Sequence, residues 1–269
     1  ANTTNTIAIG QNGQATGNQA LAIAANSKAE GVQSIAVGTF TESTGQASIA
    51  VGKTAQATGN AAVAVGSDAK ALAQNTVAVG IHAKSTNQRG VAVGTYSEAT
   101  ADNTVAVGGF SKATSERATA VGLLAKASGE SSFAGGAAAN ASGANSIAIG
   151  GATDGSSADS KSAAKAVGAQ AIAVGYKSKA EGENTIAQGN NATAKGQNSI
   201  AQGISSVAQQ TADIAIGANA AANGTDTPVG SSNGQTAGTA ISIGANSVAT
   251  GIATTALGEA AKATENGAV

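Results

Sequence analysis

The chain has 269 residues, with no Trp, Met or Cys and only five aromatic residues, three Phe and two Tyr, which excludes an ordinary globular core. Charged residues make up 11% with a net charge of −1, so neither a nucleic-acid partner nor a wholly solvated, disordered chain is indicated. A single histidine and no cysteine leave no His or Cys cluster for a metal.

From Gly10 onward one position recurs every fourteen residues: Gly10, Ala24, Gly38, Gly52, Gly66, Gly80, Gly94, Gly108, Gly122, Gly136 and Gly150, then Gly175, Gly189, Gly203 and Gly217, then Gly244 and Gly258. A period this short holds neither a helix pair nor a propeller blade, so each of the seventeen repeats is read as one coil of a β-solenoid. Taking this position as the anchor, a large residue stands three before it and another one before it in most repeats, as in Ile49 and Val51. The residue between them is Ala in every repeat except that of Ser242. Alternation along a strand sends the branched pair one way and the Ala the other, and the branched pair is read as facing inward. After the anchor, the third and fifth places are small (Ala55, Ala57) and the fourth carries charge (Lys28, Glu42, Lys70, Lys84, Glu98), which predicts a second strand with its charges in solvent. Glycines seven past the anchor, such as Gly45 and Gly59, mark the return turn, where a positive φ or a close backbone approach favours them.

In chain order the pattern predicts a roll over 1–150, a polar insertion over 151–169, roll over 170–217, a second insertion over 218–238 containing Pro228, and roll over 239–269. Fourteen residues at about 3.3 Å each allow two short strands and two turns, hence a flat coil with a thin interior. An outward column of Ala in such a thin structure implies close packing by another subunit, so Ala36, Ala50, Ala64, Ala78, Ala92 and Ala106 are candidates for the axis of a two- or three-copy assembly. The first residues lack the basic and apolar regions of an export signal, and ENGAV at the end breaks off within a further repeat, so signal, stalk and anchor are expected outside this chain.

For chemistry, His82 sits in a turn with no carboxylate expected in register, and no hydrolytic triad can be assembled around it. Asp154, Asp159 and Asp226 lack the spacing of a calcium loop, and VGKT at 51–54 lacks the first glycine of a phosphate loop, with Ala47 in that place. The chain is therefore read as non-enzymatic and without cofactor or metal. Gln188 and Gln202 fall at the branched inward position, where buried amides would need a stacked ladder. The sequons at Asn2, Asn140, Asn191 and Asn223 follow N-x-[ST] without implying glycosylation. Two places after the anchor stand His82, Tyr96, Phe110 and Leu124 in successive repeats, flanked on the second strand by Lys84, Lys112 and Lys126. This ridge is either a ligand surface or a plug in the groove between subunits.

The segments SIAVG (34–38, 48–52), TVAVG (76–80, 104–108) and SIAIG (146–150), with their small-x-Ala-x-Gly tails, resemble the head repeats of trimeric autotransporter adhesins of the Yersinia adhesin type. The resemblance covers nearly the whole chain. It implies a left-handed parallel β-roll, all-β and homotrimeric with two head-insertion loops, displayed at a Gram-negative cell surface. The partners it implies are host matrix proteins such as collagen, fibronectin or laminin, with membrane contact only through a C-terminal anchor outside this chain. The family's Asp-Ala-Val-Asn neck motif does not follow Gly258. The alternative role is a structural spacer or a cell-to-cell agglutination module. An ice-binding face is excluded, because Thr is scattered among Ser, Ala and Asn instead of forming an array.

Overall fold

Each repeat folds as two short strands and two turns. The computed structural model describes residues 5–152, 162–224 and 239–269. In the coil of Gly52 the first strand is Ile49–Val51 and the second Gln56–Ala57. Both pair in parallel with the next coil at a shift of one repeat: Ile49, Ala50 and Val51 lie opposite Val63, Ala64 and Val65, and Gln56 and Ala57 opposite Lys70 and Ala71. The Ile49 N–H donates forward to Ala62 O and the Gly52 N–H back to Val37 O, both at 2.8 Å, so each coil is bonded to the coils on either side. This is the expected all-β parallel β-solenoid, and no helix occurs among the described residues. The chain divides into two units, Ala1–Ala127 and Ser128–Val269. Among the described residues the first carries first strands from Ile7–Ile9 to Thr119–Val121, the second from Phe133–Gly135 to Thr254–Leu257.

The interior corrects the sequence reading. Ala36, Ala50, Ala64, Ala78, Ala92 and Ala106 have no exposed surface within the single chain, whereas the Ile and Val residues around them are only half-buried. The alternation is as expected, but its phase is reversed. The central Ala points into the coil and the branched pair points out, so these alanines cannot lie on an intersubunit axis. The second-strand reading holds, since Ala55 and Ala57 are buried and the charged fourth place faces outward. Ala, Ser and Thr thus fill the narrow space between the two sheets. At many of the Ser and Thr fillers the hydroxyl closes the adjoining turn, as where Ser97 donates to Gly94 O at 2.9 Å and Thr76 to Ala73 O at 2.6 Å, whereas the buried hydroxyls of Ser34, Ser85, Ser146 and Ser199 have no partner among the described residues. Such bonds offset the cost of burying the hydroxyl. Gln188 and Gln202, read above as buried, are exposed for the same reason.

The two turns need glycine for different reasons. Gly52 has a φ of 131°, and a Cβ there would lie 2.5 Å from Gly66 O, so both conformation and space exclude a side chain. Gly45 in the return turn does not have a left-handed φ; a Cβ on it would lie 1.9 Å from Gly59 O, and close approach alone accounts for it. Ala24 is the exception among the anchors and holds a φ of 103°.

Both ranges read as insertions contain strands of the roll. Lys165–Ala166 pairs with Asn140–Ala141 and with Lys179–Ala180. Ala221–Asn223 pairs with Val248–Thr250, and its first two residues pair with Val207–Ala208. Pro228, Asp154, Asp159 and Asp226 lie outside the described residues. The buried Asp213 carboxylate accepts the N–H groups of Gln210 (2.9 Å), Gly224 (3.1 and 3.3 Å) and Ala240 (2.8 Å), and so joins residues that lie on either side of 225–238 in the sequence.

Three stability outcomes are expected in thermal melts followed by circular dichroism. Ala24→Gly releases left-handed strain and gains about 1 kcal/mol. Gly52→Ala forces two backbones apart and loses more than about 2 kcal/mol. Ala92→Glu places a carboxylate in the interior and abolishes the β signal of the single chain; retention of that signal would overturn the inward assignment.

Candidate functional site

The second residue after the anchor adopts a left-handed conformation in coil after coil, with φ of 56° at Thr54, 56° at Asp68, 55° at His82, 56° at Tyr96, 55° at Phe110 and 59° at Leu124. The turns are themselves laddered: His82 N–H donates to Ser67 O (2.9 Å), Tyr96 N–H to Ile81 O (2.9 Å) and Phe110 N–H to Thr95 O (2.8 Å). This fixes the side chains one coil apart, near the interstrand spacing of about 4.8 Å. His82 and Tyr96 stack with ring centroids 4.6 Å apart and planes at 21°, and Tyr96 and Phe110 at 5.1 Å and 10°. Both Tyr96 and Phe110 are nearly half-exposed, at 44% and 46%. Leu124 occupies the next coil of the same column and is half-buried. Phe40 stands farther back, beyond Thr54 and Asp68, and is not joined to the stack.

Asn is favoured in this backbone conformation, and Asn12 with Asn26 and Asn219 with Asn246 occupy the same place in other coils, joined by side-chain hydrogen bonds of 3.3 and 3.1 Å. A bulky residue held there costs about 1–2 kcal/mol, and a stacked aromatic pair returns about 0.5–1.5 kcal/mol. The ladder therefore adds little net stability for the exposed apolar surface it creates. Because the rings lie face to face, their edges are what solvent meets.

The polar end of the column corrects the reading of His82. Asp68, one coil earlier, is in register, with Oδ2 4.0 Å from His82 Nδ1. The Thr54 hydroxyl donates to Asp68 Oδ1. This bond is the main cause holding the Asp68 carboxyl below its ordinary pKa; partial burial opposes it, and His82, the Ser67 hydroxyl and Lys53 assist. The fourteen-residue spacing of Asp68 and His82 was the available signal. The Thr54 hydroxyl also lies 2.6 Å from the carbonyl oxygen of Lys53. Among the described residues no three His, Cys, Asp or Glu side chains gather as a metal site.

Of the flanking lysines, Lys84 and Lys112 are exposed and Lys126 half-buried, and Lys112 Nζ lies 3.1 Å from Glu98 Oε1. Two residues beyond the sequence reading enlarge the apolar surface: Ile81 and Leu123, on the first place after the anchor, are exposed. That column, one residue before the ridge, reads Ile81, Thr95, Gly109 and Leu123, so its two apolar members were legible in the sequence. The structure thus gathers His82, Tyr96 and Phe110 into one surface, and places the six candidate axis alanines inside the coil.

The family model described as the YadA head domain repeat matches residues 1–23, 15–41, 43–69, 71–97, 99–125, 113–139, 127–153, 166–192, 194–220, 236–258 and 249–269. Among solved structures, the crystal structure of the collagen-binding domain of the Yersinia adhesin YadA is 31% identical, covers 48% of this chain and 78% of its own, and superposes with a TM-score of 0.43. No curated protein matches.

Phe110→Asn exchanges a strained ring for a residue suited to the turn, so the melting free energy is expected to change by less than about 1 kcal/mol. Thr54→Val removes the donor to Asp68, and the carboxyl pKa should rise toward its ordinary value in an NMR titration. The shift in the intact protein is downward, so any stability it contributes is complete above the ordinary carboxylate range and is lost as pH falls through the folded value.

Proposed function

The chain belongs to the YadA head-repeat family, and on that premise we propose that it is the non-enzymatic head of a bacterial surface adhesin, acting as a homotrimer that attaches to host matrix proteins of the collagen, fibronectin or laminin kind. Family membership supports the adhesin role, and the observation that carries the assembly is the outward Ile and Val strip. Ile49 and Val51, Val63 and Val65, Val77 and Val79, and Val91 and Val93 stack in register as a continuous apolar face that is only half-buried in one chain. A face of that length invites cover, and two further copies would supply it symmetrically. The trimer contact is accordingly assigned to the branched residues, not to the alanines.

The aromatic ladder with Ile81 and Leu123 is the proposed protein-binding surface, with Lys84, Lys112 and Lys126 on its flank. Three copies on one rigid head would add weak contacts by avidity, worth on the order of 10²–10⁴ in apparent affinity. Display at the bacterial cell surface, anchored to the outer membrane, is the location that this reading implies.

The test is a head enforced as a trimer by fusion to a trimeric coiled coil, applied to immobilised collagen, fibronectin and laminin at two salt concentrations. Saturable binding that is lost in the monomer is expected, as is its loss on joint Tyr96→Ser and Phe110→Ser replacement in a folded head. Absence of binding to all three leaves the spacer or agglutination role. In the unfused chain, Val91→Glu with Val105→Glu should dissociate the assembly in sedimentation while keeping the β signal; an unchanged trimer overturns the interface.

A further inference from the structure

The net charge conceals a strong segregation. The outward place of the second strand holds eight of the fourteen basic residues, Lys28, Lys70, Lys84, Lys112, Lys126, Lys165, Lys179 and Lys262, but only two of the fifteen acidic ones, Glu42 and Glu98. Acids collect instead near the return turn, as at Glu30, Glu116, Glu130 and Glu183. Within the first unit, Lys70, Lys84, Lys112 and Lys126 lie on five consecutive coils, with Glu98 in the middle one. At about 4.8 Å per coil they form a straight rail of roughly 19 Å. Register sets Lys70 directly beside Lys84, and Lys112 beside Lys126. Like charges so placed are destabilising. Of these four lysines only Lys112 has an ion-pair partner among the described residues, Glu98.

We propose that this lysine rail binds a linear sulfated polysaccharide laid along the axis of the coils. A sugar ring is about as long as one coil is high, so successive anionic groups on such a polymer meet successive lysines, and they relieve the repulsion that register imposes. The neighbouring aromatic ladder fits the same ligand. Its outward ring edges carry positive partial charge, which tolerates sulfate. The ring faces are occupied by one another, which removes the stacking platform that single-stranded nucleic acid uses. The inference rests on the assembly proposed above, in which first strands meet and second strands remain exposed.

Binding of the intact chain to heparin, to desulfated heparin and to single-stranded DNA tests it, using titration calorimetry over a series of salt concentrations. Two quadruple variants remove equal charge: Lys70→Gln, Lys84→Gln, Lys112→Gln and Lys126→Gln on the rail, and Lys53→Gln, Arg89→Gln, Lys177→Gln and Lys195→Gln off it. Heparin should bind the unmodified chain, with desulfated heparin and DNA at least tenfold weaker. The rail variant should lose at least tenfold and show a shallower salt dependence, the off-rail variant should change less than threefold, and the four rail positions as Arg should retain binding. Equal losses in the two glutamine variants, equal affinity for DNA or for desulfated heparin, or no heparin binding at low salt would each overturn the proposal. Loss of heparin binding with matrix-protein binding intact removes the rail alone; loss of matrix binding with heparin retained removes only the protein-binding surface.

Discussion

The width of the coil interior governs the rest of this structure. Two strands joined by tight turns lie so close that, Asp213 apart, the side chains between them are Ala, Ser or Thr, and the side chains that bury most apolar surface in other proteins are turned outward. A buried methyl group contributes about 0.8 kcal/mol, so an alanine interior stabilises a coil far less than a branched one would. The balance comes from the backbone ladder, in which nearly every strand N–H meets a carbonyl one coil away. A narrow alanine interior and an apolar exterior are thus one fact: the branched side chains are outside because the space between the sheets does not hold them.

In-register stacking is the second consequence, and it multiplies whatever the sequence places at one position. Amides become hydrogen-bonded columns, as at Gln19 and Gln33, whose side chains meet at 2.9 Å. Rings become the His82, Tyr96 and Phe110 stack, and a carboxylate beside an imidazole becomes the Asp68 and His82 pair. Lysines become a rail whose repulsion a globular surface would disperse by side-chain choice. Surface chemistry on a solenoid is therefore linear, and its ligands are expected to be extended.

Periodicity made the coil length, the two strands, the parallel register and both glycine turns legible, because each follows from spacing alone. The phase of the first strand was not legible by the rule that large residues face inward, which presumes an interior wide enough to hold them. Gln188 and Gln202 carried the contrary signal: two amides at a supposedly buried position make better sense on the outside, where they are found. Asp68 beside His82 could be read at one period's distance once the register was granted. The spread of Ile81 and Leu123 beside the ridge needed only a second column to be compared. The strands Lys165–Ala166 and Ala221–Asn223 were hidden, since an insertion counted between anchors does not reveal where within the coil the chain departs.

Asp213 lies where the fourteen-residue rhythm of the sequence is broken between Gly217 and Gly244. Its place in the coil is one of the inward places held elsewhere by Ala, Ser or Thr, where a carboxylate would ordinarily be a defect. Here the N–H groups of Gly224 and Ala240 converge on this side chain. The carboxylate accepts both, together with that of Gln210, so the acceptor and its donors satisfy one another in the interior. A single acidic residue before the anchor thus ties Gly224 and Ala240 into the roll. Asp213 is the one inward acid among the described residues, and its charge is tolerated in the narrow interior because three backbone N–H groups are directed at it.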